Sequence, residues 1–216
     1  MTPSVSVKTL GSALLAAVVL LAAAPLWVQV PFCAAESESG SGEEVLERIT
    51  EAFSGIVSIE SEFIQESHTA MLEEPLRSSG LFRYEAPDFV RWEVLSPERA
   101  GFSADGDRLK TWKGSSNEKE GAPPGAEAGI RHFMEQLLAW VRADFDWLGE
   151  RFDISVLKDS PVELVLEPMS EAVAERLDRI RVTFSQDLSH LKAIEIRETG
   201  GDRMVITFLN VRVTRR

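Results

Sequence analysis

Few residues in this 216-residue chain have the types and spacing that catalysis requires. Two pairs of acids, Asp144 with Asp146 and Glu93 with Glu98, could serve as the acid and base of a hydrolase. The chain contains 35 Asp and Glu residues, however, so neighbouring acids are expected on any solvated face. We therefore predict no catalytic carboxylate pair.

Metal and nucleophile chemistry is equally poorly supported. The three histidines, His68, His132 and His190, fall in separate segments and form no ligand motif. Asp105-Gly106-Asp107 lacks the later ligands of a calcium loop, so it predicts a hairpin turn instead. The zinc-protease, phosphate-loop and nucleophile-elbow motifs are absent from the sequence, as is any cysteine pair. We predict a protein that is not an enzyme and has no catalytic residues, no metal and no cofactor.

The apolar residues between Gly80 and Trp112 are more informative. This stretch contains four short segments of β-type composition, separated by residues that favour tight turns. The segments are Leu81–Tyr84, Phe89–Leu95, Arg99–Ser103 and Arg108–Trp112. Such a succession predicts an antiparallel meander.

Alternation within these segments predicts a sheet with one apolar face. Val90, Trp92 and Val94 fall on one side of their strand, while Arg91 and Glu93 fall on the other. The apolar face either packs against helices as a core or lines a concavity for a lipid or another ligand. Alternation alone leaves both interpretations open.

Helical periodicity appears in two places. Glu43–Ser54 has apolar residues at helical spacing and predicts an amphipathic helix that covers one side of the sheet. Ile130–Val141 carries a broad stripe of large apolar side chains and follows a Gly- and Pro-rich surface loop, Lys113–Gly129. This second helix either belongs to the core or forms a lid over a cavity.

The remaining segments predict strands. They are Val57–His68 before the meander and, after the second helix, Phe152–Leu157, Val162–Glu167, Arg179–Ser185, Leu191–Arg197 and Arg203–Val213. Nine or ten strands with two or three helices in this order predict an α+β fold, a strongly curved antiparallel sheet around helices.

The N-terminus has the pattern of a secretory signal. Lys8 precedes an apolar run, and Cys33-Ala34-Ala35 precedes acidic residues, which predicts a signal peptide over 1–35 cleaved after Ala35. An uncleaved membrane anchor is the alternative. A lipoprotein signal is disfavoured because the bulky Phe32 precedes the cysteine. Residues 36–42 then predict a flexible tether and residues 43–216 a single domain.

Charge excludes some partners. The predicted leader carries one lysine and no acid, so the mature chain has a net charge of 22 − 35 = −13. An excess of negative charge argues against binding to nucleic acid and against binding to anionic membranes through net charge.

Several phrases resemble the LolA family of periplasmic lipoprotein carriers. The most specific is the Phe-Val-Arg-Trp block between two prolines, followed by an Asp-Gly hairpin. The phrases are Phe63-Ile64-Gln65, Gly80-Leu81-Phe82, Pro87–Val94 with Pro97, Asp105-Gly106, Leu109–Trp112 and Phe208–Val211.

The resemblance implies an incomplete, strongly curved antiparallel β-barrel closed by a helical lid. It implies a periplasmic, monomeric carrier of acylated lipoprotein or lipid. Such a carrier takes cargo from an inner-membrane ABC-type releasing complex and delivers it to an outer-membrane acceptor. By this interpretation the acyl cavity is lined by Phe63, Phe82, Tyr84, Trp92, Val94, Leu164, Leu166 and Phe184, with Phe133, Leu137 and Trp140 on the lid.

Two features depart from the family pattern. The family places an arginine directly before the proline of this block, where it bonds to the lid backbone, and this chain has Ala86 there. Arg83 or Arg91 could substitute for it. The chain also ends soon after Asn210, without the longer C-terminus of some members. With these differences, a specialised paralogue that serves a particular lipid or acylated product is an alternative to a housekeeping carrier. The rival hypothesis is a regulatory sensor that binds a partner protein.

Overall fold

The computed structural model describes residues 39–114 and 117–216. The predicted signal peptide and its cleavage site lie outside these residues. The strands are β1 (Ile56–His68), β2 (Leu76–Glu85), β3 (Phe89–Ser96), β4 (Ala100–Asp105), β5 (Arg108–Lys113), β6 (Lys119–Glu120), β7 (Phe152–Asp159), β8 (Val162–Pro168), β9 (Leu177–Phe184), β10 (Leu191–Glu198) and β11 (Arg203–Arg215). The helices are α1 (Ser39–Phe53), α2 (Glu127–Arg142), α3 (Phe145–Gly149) and α4 (Glu171–Ala174).

All eleven strands of the described residues belong to one antiparallel sheet. Their order is β6-β5-β4-β3-β2-β1-β11-β10-β9-β8-β7, so the two long strands β1 and β11 pair at the centre. The first and last strands of this order do not pair with each other, and the curved sheet stays open. The predicted incomplete barrel is therefore confirmed.

The alternation predicted for β3 is confirmed on its apolar face. Val90 and Trp92 are buried, and Val94 is partly buried against the same core. They pair across the sheet with Ala104, Phe102 and Ala100 of β4. The apolar face is concave and holds the core.

Helices α1 and α2 fill this concave side. The ring of Phe53 in α1 meets Phe184 of β9 edge to face at 5.7 Å, and Arg48 pairs with Asp159 of β7 at 2.9 Å. Helix α2 buries ten residues, and it ends at Ala143, whose left-handed φ of 52° stops the helix. The α1 helix begins at Ser39, earlier than the predicted Glu43.

The described residues form one or two more strands and helices than the sequence predicted, and the additional elements are short. Strand β6 has two polar residues and α4 has four residues, both too short to show a periodicity. Strand and helix boundaries elsewhere agree with the sequence patterns to within a few residues.

The convex face of β3 contains a buried charge that the sequence did not predict. Glu93 is 7% exposed and accepts hydrogen bonds from Arg91 at 3.0 Å and Arg99 at 2.9 Å. The guanidinium of Arg91 also lies 4.2 Å from the ring centre of the buried Trp112. The expectation of a solvated carboxylate at this position is wrong, because two arginines pair with the buried carboxylate and one of them stacks on an indole.

We expect Glu93→Ala to lower the free energy of unfolding by about 2 kcal/mol, since it leaves two partly covered guanidinium groups without their shared partner. Urea denaturation measures this change. Glu85→Ala is the matched control, because Glu85 pairs with Arg83 on exposed surface and its loss should cost at most about 0.5 kcal/mol. Equal losses for the two variants would contradict a structural role of Glu93.

Candidate functional site

A cavity of about 610 Å³ lies between the first turns of α2 and the concave face of the sheet. This volume is in the range that accommodates small-molecule ligands. Its apolar walls come from both halves of the sheet and from the helix: Trp92, Val94, Ala100, Phe102, Leu177, Ile196, Met204, Ile206, Ile130 and Phe133. The cavity is thus a continuation of the core in which side chains do not fill the space.

An aromatic cluster forms the floor beside β3. The rings of Phe63 and Trp92 stack with their centres 4.0 Å apart, and Phe133 of α2 meets Trp92 edge to face at 5.5 Å. Phe102 of β4 meets the same Phe133 at 6.1 Å. These contacts connect the helix to the sheet through Trp92 and Phe133.

Two arginines of α2 fasten the helix to turns at the ends of strands. Arg131 donates to the backbone carbonyl of Asp107 in the β4–β5 turn at 3.3 Å, and Arg142 donates to the carbonyl of Pro87 in the β2–β3 turn. Arg83 and Arg91 instead pair with carboxylates of the convex face. The turn that follows Ala86 is therefore bound by an arginine of the helix rather than by Arg83 or Arg91.

Charged side chains surround the cavity where it meets solvent. The exposed charged residues that line it are Arg77, Lys113, Lys119, Arg176, Glu98, Glu175 and Glu198. Lys113 lies 3.8 Å from Glu98. Loss of hydration around its carboxyl group raises the pKa of Glu198, and the negative charge of the nearby Asp202 raises it further. The rim is thus polar and of mixed charge, while the interior is apolar.

The residues predicted for the cavity divide into three groups. Trp92, Val94 and Phe133 line it. Phe63, Phe82, Tyr84 and Leu137 are buried in the core and do not line it. Leu164, Leu166, Phe184 and Trp140 surround a much smaller void further along the sheet, together with Phe145, Leu148 and Val182. The structure brings only the first group to the large cavity.

Sequence reasoning did not select several residues of the cavity wall. The alternation within their strands places Phe102 and Ile206 on the inward face, and Ile130 belongs to the apolar stripe of α2. The same periodicities, applied to these residues, would have selected them. Gln65 and Gln136 line the cavity as buried polar residues, and no sequence pattern signalled them.

Asp144 and His190, two of the residues considered for catalysis, make structural hydrogen bonds. Asp144 accepts a hydrogen bond from the backbone N–H of Trp147 at 3.0 Å and caps α3. His190 contacts Ser189 at 2.8 Å in the β9–β10 turn, and burial lowers its pKa. In that turn hydroxyls of Ser185 and Ser189 donate to Asp187, whose pKa falls to about 2. These hydrogen bonds stabilise the hairpin.

Two further observations concern the described residues only. They contain no group of three or more His, Cys, Asp or Glu side chains that could hold a metal ion. No helix among them has both the length and the apolar character needed to cross a bilayer.

An open, curved sheet with a helix across an apolar cavity defines the class of protein: a half-barrel built around an internal cavity. The chain belongs to the LolA family, since the model of the outer membrane lipoprotein carrier protein LolA matches its residues 54–216. No functionally curated protein matches the chain in sequence.

Solved structures with similar folds share little sequence with this chain. A DUF1329 family protein from Desulfovibrio piger is 10% identical, covers 80% of this chain and 92% of its own, and has a TM-score of 0.42. The LolA superfamily protein NE2245 from Nitrosomonas europaea is 10% identical over 81% and 94%, with a TM-score of 0.38.

A third solved structure is a complex of two proteins. In the MucA/MucB complex of Pseudomonas aeruginosa the matching chain is 14% identical over 81% of this chain and 57% of its own, with a TM-score of 0.39. At these identities and TM-scores none of the three likenesses bears on function.

Proposed function

We propose that this protein is a periplasmic carrier that holds the acyl chains of a lipoprotein or another lipidated product in its cavity. The observation that carries this proposal is the 610 Å³ apolar cavity between α2 and the sheet. Each methylene group removed from water contributes about 0.8 kcal/mol, so a long acyl chain strongly favours such a cavity over the aqueous periplasm. The protein performs no covalent chemistry in this role.

Trp92, Val94 and Phe133 are proposed to contact the acyl chain directly, because they line the cavity. The other predicted residues support the walls from the core and from the smaller void, namely Phe63, Phe82, Tyr84, Leu137, Leu164, Leu166, Phe184 and Trp140. Helix α2 then acts as a lid, whose fastening by Arg131 and Arg142 must loosen when cargo enters.

Membership of the family supports the rest of the proposed path. The carrier acts as a monomer, receives cargo from an inner-membrane ABC-type complex and delivers it to an outer-membrane acceptor. A signal peptide over residues 1–35 would direct it to the periplasm.

The test places a charge in the cavity without disturbing the core. Val94 lines the cavity and is only partly buried, so we expect Val94→Asp to fold and to bind a fluorescent acyl ester at least about 10-fold more weakly, because an acyl chain would leave the carboxylate without solvent. Fluorescence titration of delipidated protein measures the dissociation constant.

Leu95→Asp is the matched control, since the neighbouring Leu95 is 48% exposed and does not line the cavity. It should bind like the unchanged protein. Failure of the unchanged protein to bind any acyl probe, or equal binding by both variants, would contradict the proposal and would favour the regulatory protein that binds a partner.

A further inference from the structure

On the cavity wall, helix α2 contributes a buried polar side chain whose amide nitrogen has no partner in the core. Helix α2 buries ten residues, and Gln136 is the only polar one among them. It is 4% exposed, and its Nε2 has no hydrogen-bond partner among the described residues. A buried amide of this kind carries a desolvation cost that only a hydrogen bond can offset.

Gln136 also lines the cavity, one helical turn beyond His132 and close to Phe133 in the sequence. From the sheet, Gln65 of β1 lines the same cavity and is 6% exposed. Otherwise the buried residues that line it are apolar, apart from the indoles of Trp92 and Trp112. The Nε1 of Trp112 also has no hydrogen-bond partner among the described residues. A molecule that enters this space therefore meets the side chain of Gln136 in a mainly apolar wall, and the buried Nε2 has to turn towards the cavity in order to donate.

We propose that the cavity recognises an acyl chain through its neutral carbonyl, the oxygen of an ester or amide link, which accepts a hydrogen bond from Nε2 of Gln136. This inference rests on the proposed function and names the ligand group that the same cavity selects. The last torsion of a glutamine side chain is broad, so the amide turns towards an acceptor at little cost.

The chemistry of the amide favours a neutral acceptor over a free carboxylate. A glutamine supplies no positive charge. A carboxylate that is buried without a cation loses its hydration, and no ion pair offsets that loss. The lysines and arginines that line the cavity are exposed at its rim, and His132 of α2 is partly exposed. A chain linked through an ester or amide therefore fits the interior better than a free fatty acid does.

The test compares two ligands that differ only in the carbonyl: 1-monopalmitoylglycerol, an ester, and 1-O-hexadecylglycerol, its ether counterpart. Displacement of a fluorescent acyl probe gives the affinity of each ligand. We expect the unchanged protein to prefer the ester by about 3- to 10-fold, the contribution of one neutral hydrogen bond.

Gln136→Met removes the donor while keeping the length of the side chain. We expect it to abolish the preference for the ester and to leave the affinity for the ether unchanged. It should also be at least as stable as the unchanged protein to heat, because a donor without a partner has been removed. Glu135→Gln, on the exposed side of the same helix, should keep the preference for the ester.

The outcomes separate this inference from the function on which it rests. If neither ligand binds the unchanged protein, the proposal that the protein is an acyl carrier is wrong. If both bind but with equal affinity, or if Gln136→Met retains the preference for the ester, acyl binding stands and recognition by Gln136 is wrong.

Discussion

Trp92→Ala should lower the free energy of unfolding by about 3–5 kcal/mol, the range for removing a large aromatic side chain from a core. Trp92 is 6% exposed and holds together a cluster that spans three parts of the fold. Its ring stacks on Phe63 at 4.0 Å, meets Phe133 of α2 at 5.5 Å and Phe208 of β11 at 6.5 Å. Removing it would leave all three rings facing a void.

Urea denaturation followed by circular dichroism measures this loss. Trp147→Ala is the matched control, because Trp147 is only partly buried and its ring lies under the guanidinium of Arg151 at 3.9 Å. That substitution should cost roughly 1 kcal/mol. If the two variants lose the same stability, Trp92 does not organise the aromatic cluster.

Gly80→Ala should destabilise the sheet by about 3 kcal/mol, the upper part of the range for overpacking. A Cβ at this position would lie 2.0 Å from the backbone oxygen of Glu93 and 2.7 Å from Cζ of Phe63. A backbone carbonyl of a paired strand cannot move aside as a side chain does. Gly80 is therefore the residue that lets Phe63 reach across β2 and stack on Trp92.

Gly149→Ala is the control for the loss of backbone freedom. Gly149 ends α3, and a Cβ there would meet no atom within 4 Å. Its stability should stay the same or rise by up to about 1 kcal/mol, as alanine favours a helix. A Gly80→Ala protein as stable as this control would show that β2 and β3 can separate enough to admit a methyl group.

The strands and their faces could be predicted because both signals are local. A strand places successive side chains on opposite faces, so the alternation of Val90, Arg91, Trp92 and Glu93 assigns each residue to a side. The predicted meander and both long helices are confirmed. Local alternation does not report what covers a face, which is why Glu93 was predicted to be solvated although Arg91 and Arg99 enclose it.

The candidate site could be predicted only in part. Trp92, Val94 and Phe133 line the cavity, whereas Phe82 and Leu137 have the same apolar character and lie in the packed core. Parity and helical spacing select the inward side of an element, and every inward residue satisfies them equally. They contain no information on how far the opposite wall stands from a given side chain.

The sequence alone thus determined the antiparallel half-barrel, its inward faces and its resemblance to the LolA family, since these depend on short periodicities and contiguous phrases. Only the tertiary structure decided where the core stops and the cavity begins. That boundary depends on the distance between α2 and the sheet, which contacts between residues far apart in the chain set together, among them Trp92 with Phe133 and Arg142 with Pro87. The same distance leaves Gln136 on the cavity wall, where its Nε2 has no hydrogen-bond partner within the described residues.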